Sequence, residues 1–380
     1  MIEVEYKNGV HASTDKLYWR FASKLNKDME RVISWGLVAL VLFGCEKAYS
    51  QDFIEVKPWI SIGPNEPPTN PISRDDAGIG PVEFIRVHPN KQGHLLAGSL
   101  SGGLFYSNNG GELWQTCGSD DWAYTGCAWA DFHPENESIW FACSNFSGEN
   151  GKPGRIGKEG GLMRSLNAGK DWELIGDYKD FIGSQQLVIY GTRFHPKNPN
   201  VLFVMTSEGL YYSENAIERS ITWIRVPNLK GWVYDLDFIG DEMFVSNFYH
   251  DKWSLLIFNL DQYESFKTVR PFEEETRMMR NVTFEPQGDQ LLIAKDFVKE
   301  SDEVCKLNSS RDSLIIVLKN QKIGFGSGHT FAVSPFHSEE FYLGHGTRIK
   351  KQVPPYIKTV PIGSGYHVDI EFVAYDPFDS

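Results

Sequence analysis

The sequence contains little cysteine and no surplus of positive charge. Cysteine accounts for 5 of 380 residues, without a C-x-x-C pair or a Cys/His spacing typical of zinc sites. Lysine and arginine number 37 against 50 aspartates and glutamates, which gives a net charge of −13. This balance argues against binding to nucleic acid or to anionic membrane surfaces. We therefore expect no metal site and no nucleic-acid partner.

The usual signatures of cofactor and nucleophile chemistry are also missing from the sequence. It has no phosphate-binding loop, dinucleotide fingerprint or nucleophile elbow. We therefore expect no cofactor. The composition, 41% hydrophobic and 14% aromatic, is ample for a globular core and suits a β-rich fold.

No apolar run is long enough for a relaxed membrane-spanning helix. The run Val32–Gly44 has 13 apolar or small residues and follows the charged pair Glu30-Arg31, as in the core of a signal peptide. The small residues Ala48 and Ser50 predict cleavage before Gln51. We therefore predict a bacterial protein that is secreted or displayed at the cell surface, without a membrane span once the signal is removed.

The signal peptide defines the predicted domain boundaries. Translation is predicted to start at Met29, so that residues 1–28 are an upstream extension and residues 29–50 the signal peptide. Residues 51–81 then form an N-terminal segment, and residues 82–380 carry the repeats described below. One alternative stays open. The run ending at Cys45, Leu-Phe-Gly-Cys, is similar to a lipobox, and a lipid on Cys45 would anchor the protein to the membrane.

An octapeptide with a distinctive turn chemistry occurs after two short apolar strands. It runs Ser107–Trp114 and again Ser165–Trp172, each time a few residues after a Gly-Gly pair, and a degenerate third copy starts at Ser213 and reaches Trp223. A short polar side chain at the third position can accept hydrogen bonds from the backbone of its own turn. Glycine supplies a residue with positive φ, and tryptophan packs back between sheets.

These octapeptides resemble the Asp box, or BNR repeat, S-x-D-x-G-x-x-W, with asparagine in place of the aspartate. In that family the motif folds the hairpin between the third and fourth strands of a β-propeller blade. Asparagine keeps the acceptor oxygen, so the turn should survive the exchange. The resemblance implies structural roles for Ser107, Asn109, Gly111, Trp114, Ser165, Asn167, Gly169 and Trp172.

A second marker, a strand followed by a corner ending in proline, recurs along the chain. Its prolines are mostly 42 to 62 residues apart, with one interval of 90 that hides a further repeat. Spacings of roughly 40 to 50 residues are typical of four-stranded propeller blades. Three corners contain His-Pro, but His88, His133 and His195 would lie in different blades, so we interpret them as structural. The six predicted repeats begin near Val82, Cys127, Leu187, Val233, Val282 and Thr330.

The fold class predicted from these markers is an all-β propeller of four-stranded blades. A seventh repeat starts near Val368 and stops at Ser380, which predicts an incomplete seven-bladed ring. The strand Trp59–Ile62 is predicted to be the ring-closing strand. Between about residues 55 and 225, the order of the motifs is similar to that of secreted bacterial sortilin/Vps10-like propellers. The motifs that carry the resemblance are Trp59–Pro64, His88–Asn90, Ala97–Leu104 and Ser107–Trp114. The resemblance implies a propeller fold and export.

Two enzyme families have a propeller of this type, and the sequence lacks the key residues of both. Xyloglucan-cleaving propellers carry a D-x-G-G-x-Y element with a catalytic aspartate, and the matching position here is Leu100. The early F-R-I-P signature of sialidases has only a poor counterpart in Phe84–Val87. Because leucine cannot act as an acid or base, a non-catalytic module for extracellular protein or glycan ligands is favoured. A glycoside hydrolase is the alternative, and a carboxylate pair across the channel would support it.

Candidate ligand-binding residues lie just before the predicted innermost strands, whose ends ring the channel of a propeller. Aromatic rings beside a few polar groups suit a glycan or a peptide, and packing between blades is the alternative role. The candidates are Trp122, Tyr124, Trp232, Tyr234, Asp235, Arg277, Arg280, His329 and His367.

Two cysteines are predicted to be neighbours. Counting along the hairpin that turns after His133 puts Cys143 nearly opposite Cys127, at a separation that a disulfide could bridge. Export would permit the bond. Its formation stays open at this point.

Overall fold

The computed structural model describes residues 82–145, 154–181, 183–275, 279–297, 302–321, 331–337, 340–345, 348–352, 359–362, 374 and 376–378. Strands dominate, and they form six four-stranded antiparallel sheets in which each strand pairs with the next along the chain. The six sheets are the blades of a β-propeller, numbered here in chain order.

The first three blades contain strands β1–β12. Blade 1 comprises β1 Val82–Val87, β2 Leu95–Ser99, β3 Gly103–Ser107 and β4 Gln115–Thr116. Blade 2 comprises β5 Gly126–Phe132, β6 Trp140–Asn145, β7 Gly161–Ser165 and β8 Glu173–Gly176. Blade 3 comprises β9 Ile189–His195, β10 Asn198–Thr206, β11 Gly209–Ser213 and β12 Ile224–Arg225.

The other three blades contain strands β13–β24. Blade 4 comprises β13 Trp232–Ile239, β14 Glu242–Tyr249, β15 Lys252–Asn259 and β16 Gln262–Thr268. Blade 5 comprises β17 Met279–Gln287, β18 Gln290–Phe297, β19 Asp302–Leu307 and β20 Leu314–Gln321. Blade 6 comprises β21 Phe331–Val333, β22 Phe341–His345, β23 Arg348–Gln352 and β24 Thr359–Ile362. The described helices are short: a 3-10 turn Ser119–Asp121, α1 Tyr178–Phe181 and α2 Arg270–Glu273.

The predicted starts of the six repeats are confirmed. The first strands of the blades begin at residues 82, 126, 189, 232, 279 and 331, each within about three residues of its predicted position. These first strands are innermost, and each lies beside the first strand of the next blade from β1 through to β21.

The hydrophobic core is divided into five layers, one between each successive pair of blades from 1 to 6. Phe84 of blade 1, for example, packs with Phe132 and Trp140 of blade 2, and all three are almost fully buried. Burial of such a side chain contributes about 1.5–3 kcal/mol. Because both faces of a blade that lies between two others meet a neighbour, a strand such as β6 of blade 2 is buried along its whole length.

The histidine corners have the structural role expected from their spacing. The Nδ1 atoms of His133 and His195 each accept two backbone N–H groups of the following turn at 3.0–3.1 Å, and His88 Nδ1 accepts the N–H of Asn90 at 3.1 Å. Burial lowers the pKa of these imidazoles, which favours the neutral form that can accept a hydrogen bond. At the corresponding corner of blade 6, the Oγ of Ser334 accepts two backbone N–H groups instead.

The predicted octapeptide turns join the third and fourth strands of blades 1, 2 and 3. In blade 1, Asn109 Oδ1 accepts the Ser107 hydroxyl at 2.9 Å and the Leu113 N–H at 3.0 Å, while Ser107 Oγ accepts the Gly111 N–H at 2.9 Å. Asn167 makes the equivalent bonds in blade 2 at 2.9–3.0 Å. In blade 3, where the loop between the third and fourth strands is longer, Asn215 Oδ1 accepts the Thr222 N–H at 3.0 Å. The turn position is therefore fixed by local side-chain chemistry.

Cys127 and Cys143 are neighbours on the paired strands β5 and β6, as predicted, but they are one residue out of register and no disulfide joins them. All four described cysteines are free, and Cys127 lies opposite Ser144 rather than Cys143. A one-residue offset reverses the face of a strand. Cys127 accordingly packs in the layer between blades 1 and 2, and Cys143 in the layer between blades 2 and 3.

Several predicted features fall outside the described residues. They are the upstream extension, the signal peptide with Cys45, the strand Trp59–Ile62 and, apart from residues 374 and 376–378, the seventh repeat that is predicted to start near Val368. Within the described ranges, no helix combines the length and apolar character needed to cross a membrane.

Candidate functional site

An aromatic cluster lies where the chain enters blade 4. We define it as Tyr190, Trp232, Tyr234, Phe248 and Trp253. Tyr190 lies 6.4 Å from Trp232 and 5.4 Å from Tyr234 between ring centroids, and Phe248 lies 5.1 Å from Trp232 and 5.2 Å from Trp253. Trp253 and Tyr234 are buried, whereas 43% of Trp232 is exposed. The cluster therefore holds one large ring at the surface on a rigid support.

Local backbone geometry places this tryptophan. Gly231 precedes it with φ 83°, and a Cβ there would lie 2.3 Å from the Phe248 carbonyl oxygen. The β14–β15 hairpin closes with His250 and Asp251, both at positive φ (51° and 60°), as in a type I′ turn. Tyr249, 41% exposed, precedes that turn and contacts the ring of His250 with centroids 3.9 Å apart. Trp232 and Tyr249 are thus two exposed aromatic side chains at one end of blade 4.

The structure brings some of the predicted ligand-binding residues together and separates others. Trp232 and Tyr234 belong to the aromatic cluster, but only Trp232 is substantially exposed. Asp235 is fully buried, 3.6 Å from a guanidinium nitrogen of Arg193. Trp122 is 7% exposed and packs edge-on to Trp172 at 5.2 Å, so the blade 1–2 core holds it rather than a binding surface.

The remaining candidates lie elsewhere or outside the described residues. Tyr124 is partly buried at the start of blade 2, where its carbonyl accepts the Ser144 hydroxyl at 2.8 Å. Arg280 belongs to β17, but its side chain, together with Arg277, His329 and His367, is outside the described residues.

A second group of polar side chains lies on the innermost strands. Of this group, only Asp235 was among the residues predicted from the sequence. We call it the channel cluster, since the first strands of a propeller surround its central channel. It comprises Arg86, Asp131, Arg193, Asp235, Asp237 and Glu285. The signal in the sequence is a charged residue one or two positions before the end of the first strand in each of blades 1 to 5.

Two ion pairs and one tryptophan organise the channel cluster. Arg86 Nε lies 3.2 Å from Asp131 Oδ1, and Arg193 Nη2 lies 3.6 Å from Asp235 Oδ1. Both guanidinium groups approach the ring of Trp129, at 3.6 and 4.8 Å from its centroid. Such contacts are attractive because the ring face carries negative partial charge.

Two carboxyls of the channel cluster, those of Asp237 and Glu285, have raised pKa values. Burial, together with the neighbouring carboxylates, raises the pKa of Asp237 to about 6 and that of Glu285 well above its ordinary value. Burial and the nearby Arg193 lower the pKa of Arg86 to about 10. Arg86, Asp131 and Arg193 nonetheless keep 16–22% of their side-chain surface exposed, which indicates that water reaches the cluster. Among the described residues, no three or more His, Cys, Asp or Glu side chains are grouped so as to hold a metal ion.

Comparison with known proteins identifies a class of fold. No protein-family model matches the sequence, and no curated protein matches it either. The structure resembles a GH74 enzyme of Niastella koreensis (TM-score 0.54, 13% identity) and the GH74 xyloglucanase of Xanthomonas campestris (TM-score 0.50, 14% identity). It also resembles YCF48 bound to D1 peptide, with a TM-score of 0.50 and 12% identity. These structural similarities show that the fold of the chain is a β-propeller.

The extent of the matches differs between these structures. The matches cover 74–77% of this chain, but only 45% and 55% of the two GH74 proteins, so the chain spans about half of their length. The match covers 81% of YCF48. At 12–14% identity the comparisons establish the fold alone.

Proposed function

We propose that the chain is a non-catalytic β-propeller module that binds a protein or glycan ligand through the exposed aromatic side chains of blade 4. The observation that carries this proposal is the exposure of Trp232, 43%, on a support of packed rings. Exposed tryptophan and tyrosine supply large contact area at low entropic cost, and such residues dominate binding energies at interfaces. The position at the start of an innermost strand is where propellers bind ligands.

We further propose that this propeller belongs to the Asp-box type and to the exported, sortilin/Vps10-like group. The hydrogen bonding of Asn109 and Asn167 between third and fourth strands supports the first proposal. The charged start and short apolar run before Gln51 support the second. N-terminal sequencing of the exported protein should find Gln51 first. A lipid on Cys45 would select the anchored alternative, and a mature protein that retains residues 1–28 would contradict export by this signal.

Binding can be tested with glycan and peptide arrays probed with the full chain and with Trp232→Ala. Truncation of a central aromatic contact typically costs about 2 kcal/mol or more. The variant should therefore bind any array hit at least about 10-fold more weakly. Phe336→Ala is the matched control, since Phe336 is 41% exposed on a different blade. Equal binding by the wild type and Trp232→Ala would refute this location for the site.

A glycoside hydrolase is the second candidate. The raised pKa values of Asp237 and Glu285 favour it, because a general acid must be protonated at its working pH. Against it, Leu100 is 5% exposed and apolar, at the position where xyloglucan-cleaving propellers are expected to carry the catalytic aspartate. We expect no turnover of xyloglucan or sialyl substrates. Turnover that is lost in Asp237→Asn would reverse the order of the two candidates.

A further inference from the structure

The histidine corners of blades 1, 2 and 3 share one buried hydrogen-bonding pattern. The imidazoles of His88, His133 and His195 are only 3–6% exposed, and each is followed by proline. In blades 2 and 3 the Nδ1 atom accepts the backbone N–H groups two and three residues further on, at 3.0–3.1 Å. In blade 1 it accepts the first of these groups, at 3.1 Å. Nδ1 is therefore the unprotonated ring nitrogen, and the ring proton lies on Nε2.

This pattern leaves no place for a second proton. An imidazole that gains one becomes a donor at both nitrogens, so Nδ1 can no longer accept the backbone N–H groups of the turn. Those groups would then face a positive charge inside the protein, and an unpaired buried charge is costly. Protonation therefore requires that the turn opens and that the imidazole moves into water.

The corner of blade 6 performs the same task without a titratable group. Ser334 is also buried and followed by proline, and its Oγ accepts the N–H groups of Phe336 and His337 at 3.2 and 3.1 Å. These residues are again two and three positions further on. Histidine changes its charge between about pH 5 and 8 and a serine hydroxyl does not, so the blade 6 corner is an internal reference for the other three.

The turns at the histidine corners also connect neighbouring blades. Asn90 Nδ2, in the turn of blade 1, donates to the Pro134 carbonyl oxygen in the turn of blade 2 at 2.6 Å. In blade 3, Lys197 forms an ion pair with Asp241 of blade 4. A corner that opens loses these contacts, so the effect extends from one blade to the next.

We propose that the histidine corners are an acid-sensitive conformational device, in which protonation of Nδ1 opens the turns of blades 1–3 while the serine corner of blade 6 stays closed. The device lies away from the proposed binding surface. His195 ends β9 five residues after Tyr190 of the aromatic cluster, which corresponds to about 16 Å at about 3.3 Å per residue. The device therefore goes beyond the proposed function, and either can fail without the other.

The sign of the pH dependence follows from burial. Burial is the main cause that lowers the pKa of all three imidazoles. The charged and titratable groups that act on them are Lys91, His94 and Glu137 at His88, Glu135 at His133, and Lys197 and Asp261 at His195. Because the folded-state pKa lies below the unfolded value of about 6.5, the unfolded chain binds more protons. The stability that these corners contribute is therefore complete above about pH 6.5 and is lost as the pH falls through the folded pKa.

Hydrogen exchange of the full chain, followed by mass spectrometry at about pH 7.5 and 5.5 and corrected for the intrinsic exchange rate, tests the device. The lower pH is about one unit below the unfolded pKa, so we expect the amides of the three histidine corners to lose about 10-fold more protection than those of the blade 6 corner. A triple variant, His88→Ser, His133→Ser and His195→Ser, copies the blade 6 corner and should keep its protection at the lower pH. His337→Ser, which removes an exposed histidine from the blade 6 corner, should behave as the wild type.

Three results would overturn the proposal. They are an equal loss of protection at all four corners, unchanged protection of blades 1–3 at the lower pH, and a triple variant as sensitive to acid as the wild type. If the triple variant does not fold cooperatively, His133→Ser tests the blade 2 corner alone, and the comparison between corners of the wild type needs no variant. No ligand enters the measurement, so its result does not depend on the aromatic binding surface.

Discussion

Arg164 joins blade 2 to blade 3, and we predict that Arg164→Met lowers the free energy of unfolding by about 3 kcal/mol. The side chain is 1% exposed. Its Nη1 donates to the carbonyl oxygens of Ala216 and Glu218, both at 2.6 Å, and its Nε and Nη2 donate to Glu173 Oε1 at 2.9 and 2.6 Å. The substitution removes every one of these bonds while it keeps most of the apolar stem that packs between the blades.

The magnitude follows from which partners are buried. A hydrogen bond from a charged donor contributes about 1.5–3 kcal/mol, and the buried Ala216 carbonyl would be left without its donor. The bond to Glu218 adds less, since that residue is exposed. Glu173 is 51% exposed, so its ion pair is worth about 0–1 kcal/mol. The carbonyl bonds between blades, rather than the ion pair, should therefore dominate.

Urea unfolding followed by tryptophan fluorescence and circular dichroism measures this difference. Glu173→Gln is the matched variant, and we expect it to cost less than about 1 kcal/mol. A loss below about 1 kcal/mol for Arg164→Met would refute the reasoning. So would a Glu173→Gln variant as unstable as Arg164→Met, because the ion pair would then carry the stability.

Two further predictions concern the turns and the channel. Asn109→Asp should change the free energy of unfolding by less than about 0.5 kcal/mol, whereas Asn109→Ala should lower it by about 1 kcal/mol. The reason is that only alanine removes the acceptor of the Leu113 N–H. Urea unfolding in which the alanine variant is as stable as the aspartate variant would contradict this. The raised pKa of Glu285 means that its stabilising contribution is complete below the unfolded pKa near 4.3 and is lost as the pH rises through the folded pKa. Glu285→Gln should therefore raise the melting temperature more at pH 8 than at pH 5, and an equal gain at both values in scanning calorimetry would show that ionisation is not the cause.

The blade boundaries and the octapeptide turns could be predicted because their determinants are local. In the turn of blade 1, Ser107 and Asn109 bond to backbone groups no more than four residues away. The same local rule also operates where the motif was not recognised. In blade 5, Asn308 Oδ1 accepts the Asp312 and Ser313 N–H groups at 3.0 and 3.1 Å, although Lys306 stands where the motif has serine.

The roles of individual side chains within a strand depended on tertiary structure. The hairpin pairs Phe132 with Trp140, so regular pairing would place Asn145 opposite Cys127, and a register irregularity between Cys127 and Ala130 makes the partner Ser144. Neither the turn pairing nor the irregularity could be counted from the sequence. The aromatic candidates show the same limit. Trp122 lies shortly before an innermost strand and Trp232 begins one, yet Trp122 is buried against Trp172 and Trp232 is 43% exposed.

The channel cluster also depended on the side-by-side arrangement of the innermost strands. Its charged residues extend from Arg86 to Glu285 along the chain, with one or two in each of blades 1 to 5. In the sequence, each of them is simply a charged residue in a short strand. Only side-by-side packing of the innermost strands places them in one enclosure, where loss of hydration shifts their pKa values. The sequence by itself determined the strands, the turns and the repeat, because these follow from bonds between near neighbours. Tertiary structure decided burial, register and the electrostatic environment, because these depend on residues far apart in the chain.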